Sequence, residues 1–176
     1  MPRLIKNGAV VEDRWTLLRD VGSLAELPSG SPVIVPLALW KVERAALAER
    51  GEVGVWLKPD DDPEVLADDV ATLPLIAIDF PKFTDGRGYS TAQLLRTRYR
   101  FIGELRAVGD VLRDQLYYLR QCGFDAFAVR ADRNLEDALK AFDDFSDGYQ
   151  ATVRQPTPLF RRRTACRASS GVNDPS

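Results

Sequence analysis

Strand-length apolar runs recur every twenty-odd residues, at 33–37, 53–57, 75–80, 101–107 and 124–130, and most are followed by a stretch with helix-forming character. The segment 41–50 is rich in Ala and Leu and stops at Gly51, and Pro63 opens a predicted helix over 64–73. Ser90 and Gln93 have capping-box spacing ahead of Leu94 and Leu95, which predicts a helix to Tyr99. Asp110 is placed to cap a helix carrying Val111, Leu112, Gln115, Leu116 and Leu119 that ends at Gly123. Asn134 is placed to cap a last one with Leu135, Ala138, Leu139, Phe142 and Phe145 on one face. About five βα units joined by right-handed crossovers imply an α/β fold with a mainly parallel sheet. Ahead of them, Leu4-Ile5 and Val10-Val11 flank Asn7-Gly8, so residues 4–18 read as an N-terminal β-hairpin.

Two architectures fit this rhythm. A doubly wound three-layer sheet buries every strand on both sides and favours continuous apolar runs, which the first three strands satisfy. In the later strands Asp79, Glu104, Arg106 and Arg130 share one alternating parity with Ala77 and Ala128, while Ile76, Ile78, Leu105, Phe127 and Val129 take the other. One charged and one apolar face is the pattern of an open partial TIM-like barrel with helices outside. Five units cannot close such a barrel, so its edges need the hairpin, the C-terminal segment or a second subunit of a homo-oligomer. With 176 residues the expected organisation is a single α/β domain over 1–151, followed by an aperiodic Arg-rich tail over 152–176 with Arg154, Arg161, Arg162, Arg163 and Arg167.

Composition narrows the chemistry. There is no histidine, which removes His-based triads, imidazole bases and His-ligated metal or haem. Cys122 and Cys166 are too few and too far apart for a disulfide framework, an all-cysteine metal site or a redox pair. Cys122, just before Gly123 at a helix end, reads as a small buried hydrophobe, since the dipole there disfavours a thiolate. The acidic runs 60–62 and 68–69 read as helix-start and surface residues, so no metal is expected. A formal charge of −2 argues against nucleic acid or membrane partners. The polar N-terminus and the lack of any long apolar stretch lead us to expect a cytoplasmic protein.

The loop between the third strand and the next helix is the strongest ligand-binding candidate. Asp85, Gly86, Arg87, Gly88 and Ser90 follow a parallel strand, and the glycines let backbone amides approach a bound anion. Arg106 and Arg130 at strand ends, with Arg96, Arg98 and Arg100 on the helix, supply bidentate donors for sulfite, sulfate or phosphate. Neither a P-loop nor a dinucleotide fingerprint is present. Asp85 bonding its own loop, with Arg87 paired to Asp79, is the structural alternative. Glu104 and Asp110 complete the candidate set. With Arg106 beside it, Glu104 lacks the raised pKa of a general acid, so an ion-pair network of Asp79, Glu104, Arg106 and Arg130 competes with ligand binding. No catalytic residue stands out.

Three segments carry a family resemblance: Phe80-Pro81-Lys82-Phe83-Thr84-Asp85-Gly86-Arg87-Gly88-Tyr89-Ser90, the run 103–116 beginning Gly103-Glu104-Leu105-Arg106-Ala107-Val108-Gly109-Asp110, and Arg120-Gln121-Cys122-Gly123-Phe124-Asp125-Ala126-Phe127. Over about residues 30–150 the chain resembles a bacterial family of unknown function labelled as oxidoreductases of sulfite reduction, whose genes lie beside those for sulfite reductase and cysteine synthesis. The resemblance nominates Asp85, Arg87, Glu104, Arg106, Asp110 and Asp114 as functional residues. It implies an accessory protein of sulfate and sulfite assimilation that binds a small oxyanion or sulfite reductase. An oxidoreductase using a flavin or nicotinamide and a non-catalytic structural partner are the alternatives. The residues themselves call for no cofactor.

Overall fold

In a computed structural model, described here for residues 2–130 and 132–142, the N-terminal hairpin forms as its turn requires. Strand β1 (Arg3–Lys6) pairs antiparallel with β2 (Ala9–Glu12), Lys6 opposite Ala9. Asn7 and Gly8 take the positive φ values, 51° and 80°, of a primed two-residue turn. Strand β3 (Thr16–Leu17) is followed by β4 (Val33–Pro36), helix α1 (Leu37–Arg50), β5 (Val53–Leu57), β6 (Leu75–Phe80), α2 (Arg87–Thr97) and β7 (Glu104–Gly109). The order ends with α3 (Leu116–Gln121), β8 (Ala126–Phe127) and α4 (Leu135–Leu139).

All eight strands form one sheet in the order β2-β1-β8-β7-β6-β5-β4-β3. From β3 to β8 every neighbour is parallel and consecutive in sequence, so there is no reversal point. The doubly wound alternative is thereby corrected. A sheet that never reverses its winding sends its crossovers to one side, and the sheet curls into a half-barrel.

The hairpin covers the β8 edge. β2 and β3 lie at opposite edges yet run in the same sense, and only Asp13, Arg14 and Trp15 join them. Four Cα steps from Glu12 to Thr16 span at most about 14 Å, whereas the edges of a flat eight-stranded sheet stand about 34 Å apart. The sheet must therefore roll up. Val10 and Leu18 pack on the helix-side core, while Trp15 and Leu17 join an inner cluster with Ile34, Trp56, Leu75, Ala77 and Val108.

Charge fixes this seam. Arg106 projects inward from β7 with its side chain 4% exposed, donates from Nη1 to Asp13 at 2.8 Å, and holds Glu104 through Nε and Nη2 at 2.8 and 2.7 Å. Lys6 Nζ approaches the other Glu104 oxygen at 2.6 Å, so two cations meet two carboxylates. Farther along, Arg19 Nη1 reaches Asp79 at 2.9 Å. The expected network thus exists in altered form: Asp79 pairs with Arg19, and Arg130 belongs elsewhere.

Several local expectations are corrected. Residues 64–73 form only a 3-10 turn at Pro63–Leu66 followed by turns. Asp69 accepts from Trp40 Nε1 at 2.9 Å and pairs with Arg44 at 3.1 Å, and an acid there opposes a helix dipole. The Ser90/Gln93 capping box does not form, because α2 starts at Arg87 and both lie inside it. Asp110 does not cap α3, which follows a 3-10 turn capped at Leu112, and the last strand shrinks to two residues. Asn134 caps α4 as read, its Oδ1 accepting from Glu136 and Asp137 N–H at 2.8 and 3.1 Å. The Arg-rich tail over 152–176, Phe145 and Cys166 lie outside the described residues.

Removing Arg106 leaves the largely buried Asp13 carboxylate without its cation and Glu104 with Lys6 alone. Arg106→Ala is expected to lower unfolding free energy by about 3–5 kcal/mol in urea denaturation; a loss below about 1 kcal/mol contradicts the assigned role.

Candidate functional site

The half-barrel's carboxyl rim is built from the turns after β5, β6, β7 and β8. Asp85 precedes Gly86, the residue that caps α2 without a side chain of its own. Its carboxylate accepts from Arg87 N–H at 3.2 Å, Nε at 3.0 Å and Nη2 at 2.7 Å, while Arg87 Nη1 bonds Asp60 from the preceding turn. The Arg87 guanidinium beside it holds the Asp85 carboxyl below its usual range, and Asp85 in turn raises Arg87. An anion at this helix start meets a carboxylate already in place. Gly88 serves packing: a Cβ there would lie 2.6 Å from Phe80 Cζ. Ser90 is exposed on the first turn of α2.

Asp110 is the rim's second hub. Its backbone N–H donates to Phe80 O at 2.6 Å, and its carboxylate accepts from Phe83 N–H at 3.0 Å and Arg130 Nη1 at 3.0 Å. Arg130 also grips Asp132 through Nε and Nη2, both at 3.1 Å, and these two carboxylates raise its pKa. Gln115 Nε2 donates to Phe83 O at 2.8 Å. Phe83 is thus bound through both backbone polar groups while its side chain faces solvent, the residue being 56% exposed. Gly109, at φ +97°, permits this junction, since a Cβ there would sit 2.5 Å from Phe80 O.

The nominated residues therefore divide. Asp85, Gly86, Arg87, Gly88, Ser90, Asp110 and Arg130 share the rim, whereas Glu104 and Arg106 lie in the barrel wall and turn toward Asp13 and Lys6. Asp114 is exposed beside a cleft of about 270 Å³ that Arg113, Arg133, Asn134 and Asp137 also line. Arg96 is a structural clasp. It donates to Phe101 O, Gly103 O and Gly123 O at 2.7, 2.9 and 2.9 Å and pairs with Asp125 at 2.9 Å. Among the described residues no group of three or more Cys, Asp or Glu is arranged to hold a metal ion.

A family model for bacterial proteins of unknown function, DUF934, matches residues 54–160, more than half of the chain. The chain belongs to this family. The DUF934 match opens inside β5 and takes in the whole β6–α4 rim, including every nominated residue. No curated protein matches the chain. Among the described residues no helix is long and apolar enough to cross a membrane.

Residues at the site that sequence reasoning passed over are Arg19, Trp56, Lys58, Phe83 and Gln115. A signal existed for two of them: Trp56 and Lys58 follow Gly54 at two-residue spacing, the inward parity of β5. Cys122 is buried as expected, with Gln93 Nε2 3.9 Å from its Sγ, and burial pushes the thiol up. At pH 8 its thiolate fraction falls below that of an ordinary cysteine. Alkylation by iodoacetamide is expected to be several-fold slower in the native protein than in urea; equal rates contradict the burial.

Proposed function

We propose that this protein is a non-catalytic accessory partner in sulfite assimilation that docks onto sulfite reductase through the rim around Phe83. The pathway rests on the family resemblance of the segments 80–90, 103–116 and 120–127. The observation that carries the docking reading is the clamped, solvent-facing aromatic. Phe83 is fixed by Asp110 and Gln115, and a second exposed aromatic, Tyr118, 54% exposed, packs its ring 5.0 Å from that of Tyr89. Gln115 also donates to Tyr89 Oη at 3.3 Å, which ties the aromatic group to the loop. Preorganised aromatic side chains contribute most of the energy at protein interfaces and lose little entropy on binding.

The pairing of the arginines supports the same reading over an anion-binding loop. Arg87, Arg106 and Arg130 each meet two carboxylates, so an incoming oxyanion must displace an internal partner at every one of them. Purified protein is expected to bind immobilised sulfite reductase saturably. Phe83→Ala with Tyr118→Ala should weaken that binding at least tenfold while leaving the melting temperature within a few degrees. No binding by the wild type, or equal binding by the double variant, overturns the proposal.

A further inference from the structure

The described structure contains a buried indole N–H without an acceptor. Trp56 points inward from β5, is 4% exposed, and its Nε1 has no hydrogen-bond partner among the described residues. A buried donor left unsatisfied costs about 1–3 kcal/mol, and such groups stand out where a ligand completes them. Two cations lie against the same ring. Arg19 Cζ is 4.9 Å and Lys58 Nζ 5.5 Å from its centroid. Arg19 is held by Asp79, but Lys58 makes no ion pair among the described residues, and its backbone N–H donates to Asp61 at 2.8 Å.

Position agrees with chemistry. Lys58 follows the last residue of β5, Asp79 is the penultimate residue of β6, and Arg19 lies two residues beyond β3. Lys58 and Asp79 stand at the carboxyl ends of the adjacent strands β5 and β6, and Arg19 follows β3, two strands away across β4 in the same parallel run, at the end where rolled parallel sheets place their ligands. We propose that the inner mouth at Trp56, Lys58 and Arg19 binds a small oxyanion of the sulfite, sulfate or phosphate type. Trp56 Nε1–H donates one hydrogen bond, Lys58 supplies the uncommitted positive charge, and Arg19 shares its guanidinium between the ligand and Asp79. The donor is sealed from bulk solvent, and the long side chains of Arg19 and Lys58 lie over the ring that carries it. This site is separate from the 85–90 loop and does not depend on docking through Phe83.

The test is calorimetric and fluorescence titration of the full chain with sodium sulfite, sulfate and phosphate, and chloride as control. Wild type is expected to show saturable binding of at least one oxyanion at millimolar concentration or below, with a change in tryptophan emission. Lys58→Ala, at an exposed position, should weaken that binding at least tenfold, and Trp56→Phe should weaken it while removing the emission change. Arg87→Ala should bind as wild type. Absence of saturable binding by the wild type, undiminished affinity in Lys58→Ala, or loss of binding in Arg87→Ala each overturns the assignment. If Trp56→Phe fails to fold, the Lys58 and Arg87 variants still decide it.

Discussion

One buried guanidinium organises the barrel. Arg106 sits mid-strand on the inward face of β7, where a lone charge would be prohibitively costly, and its three nitrogens bond Glu104 and Asp13, with Lys6 completing the neutral set. Glu104 belongs to the same strand, but Asp13 belongs to the stretch that leaves one sheet edge for the other. That single long-range bond therefore connects the sheet's wall to its closing segment. A buried pair of this kind need not add net stability over a hydrophobic core, but it specifies which closure is formed, because any other register strands a charge.

The rim follows from the same geometry. Consecutive parallel strands bring the turns after β5 to β8 side by side, and acids and bases on adjacent turns meet: Asp60 with Arg87, Asp110 with Arg130. These pairs are solvent-exposed and contribute little stability individually. Their effect is positional. They tie the Phe83 loop to its neighbours, while Trp56 Nε1, buried on the inner face, has no acceptor among the described residues.

Much of the fold was legible in the sequence. Alternating parity in β6 and β7 separated a charged face from an apolar one, and that face is the barrel interior. Asn7-Gly8 and Asn134 dictated a turn and a cap through local backbone chemistry, which sequence states directly. The failures have a common cause. Whether 64–73 becomes a helix depends on Trp40 and Arg44 capturing Asp69, and whether Asp110 caps α3 depends on Phe83 and Arg130 reaching it first. Partners that distant in the chain leave no local signal. The site shows the same limit: the candidate arginines were visible, but the carboxylates that neutralise them, among them Asp13 and Asp60, come from other segments.

The most direct test of this account is a double-mutant cycle between Asp13 and Arg106, measured by urea denaturation with Asp13→Ala, Arg106→Met and the pair. Closure through this bond predicts a coupling of about 2 kcal/mol or more, the double variant being far less destabilised than the sum of the singles. Additivity within about 0.5 kcal/mol would show that the two residues do not act on each other, and would contradict the claim that Arg106 holds the closing strand.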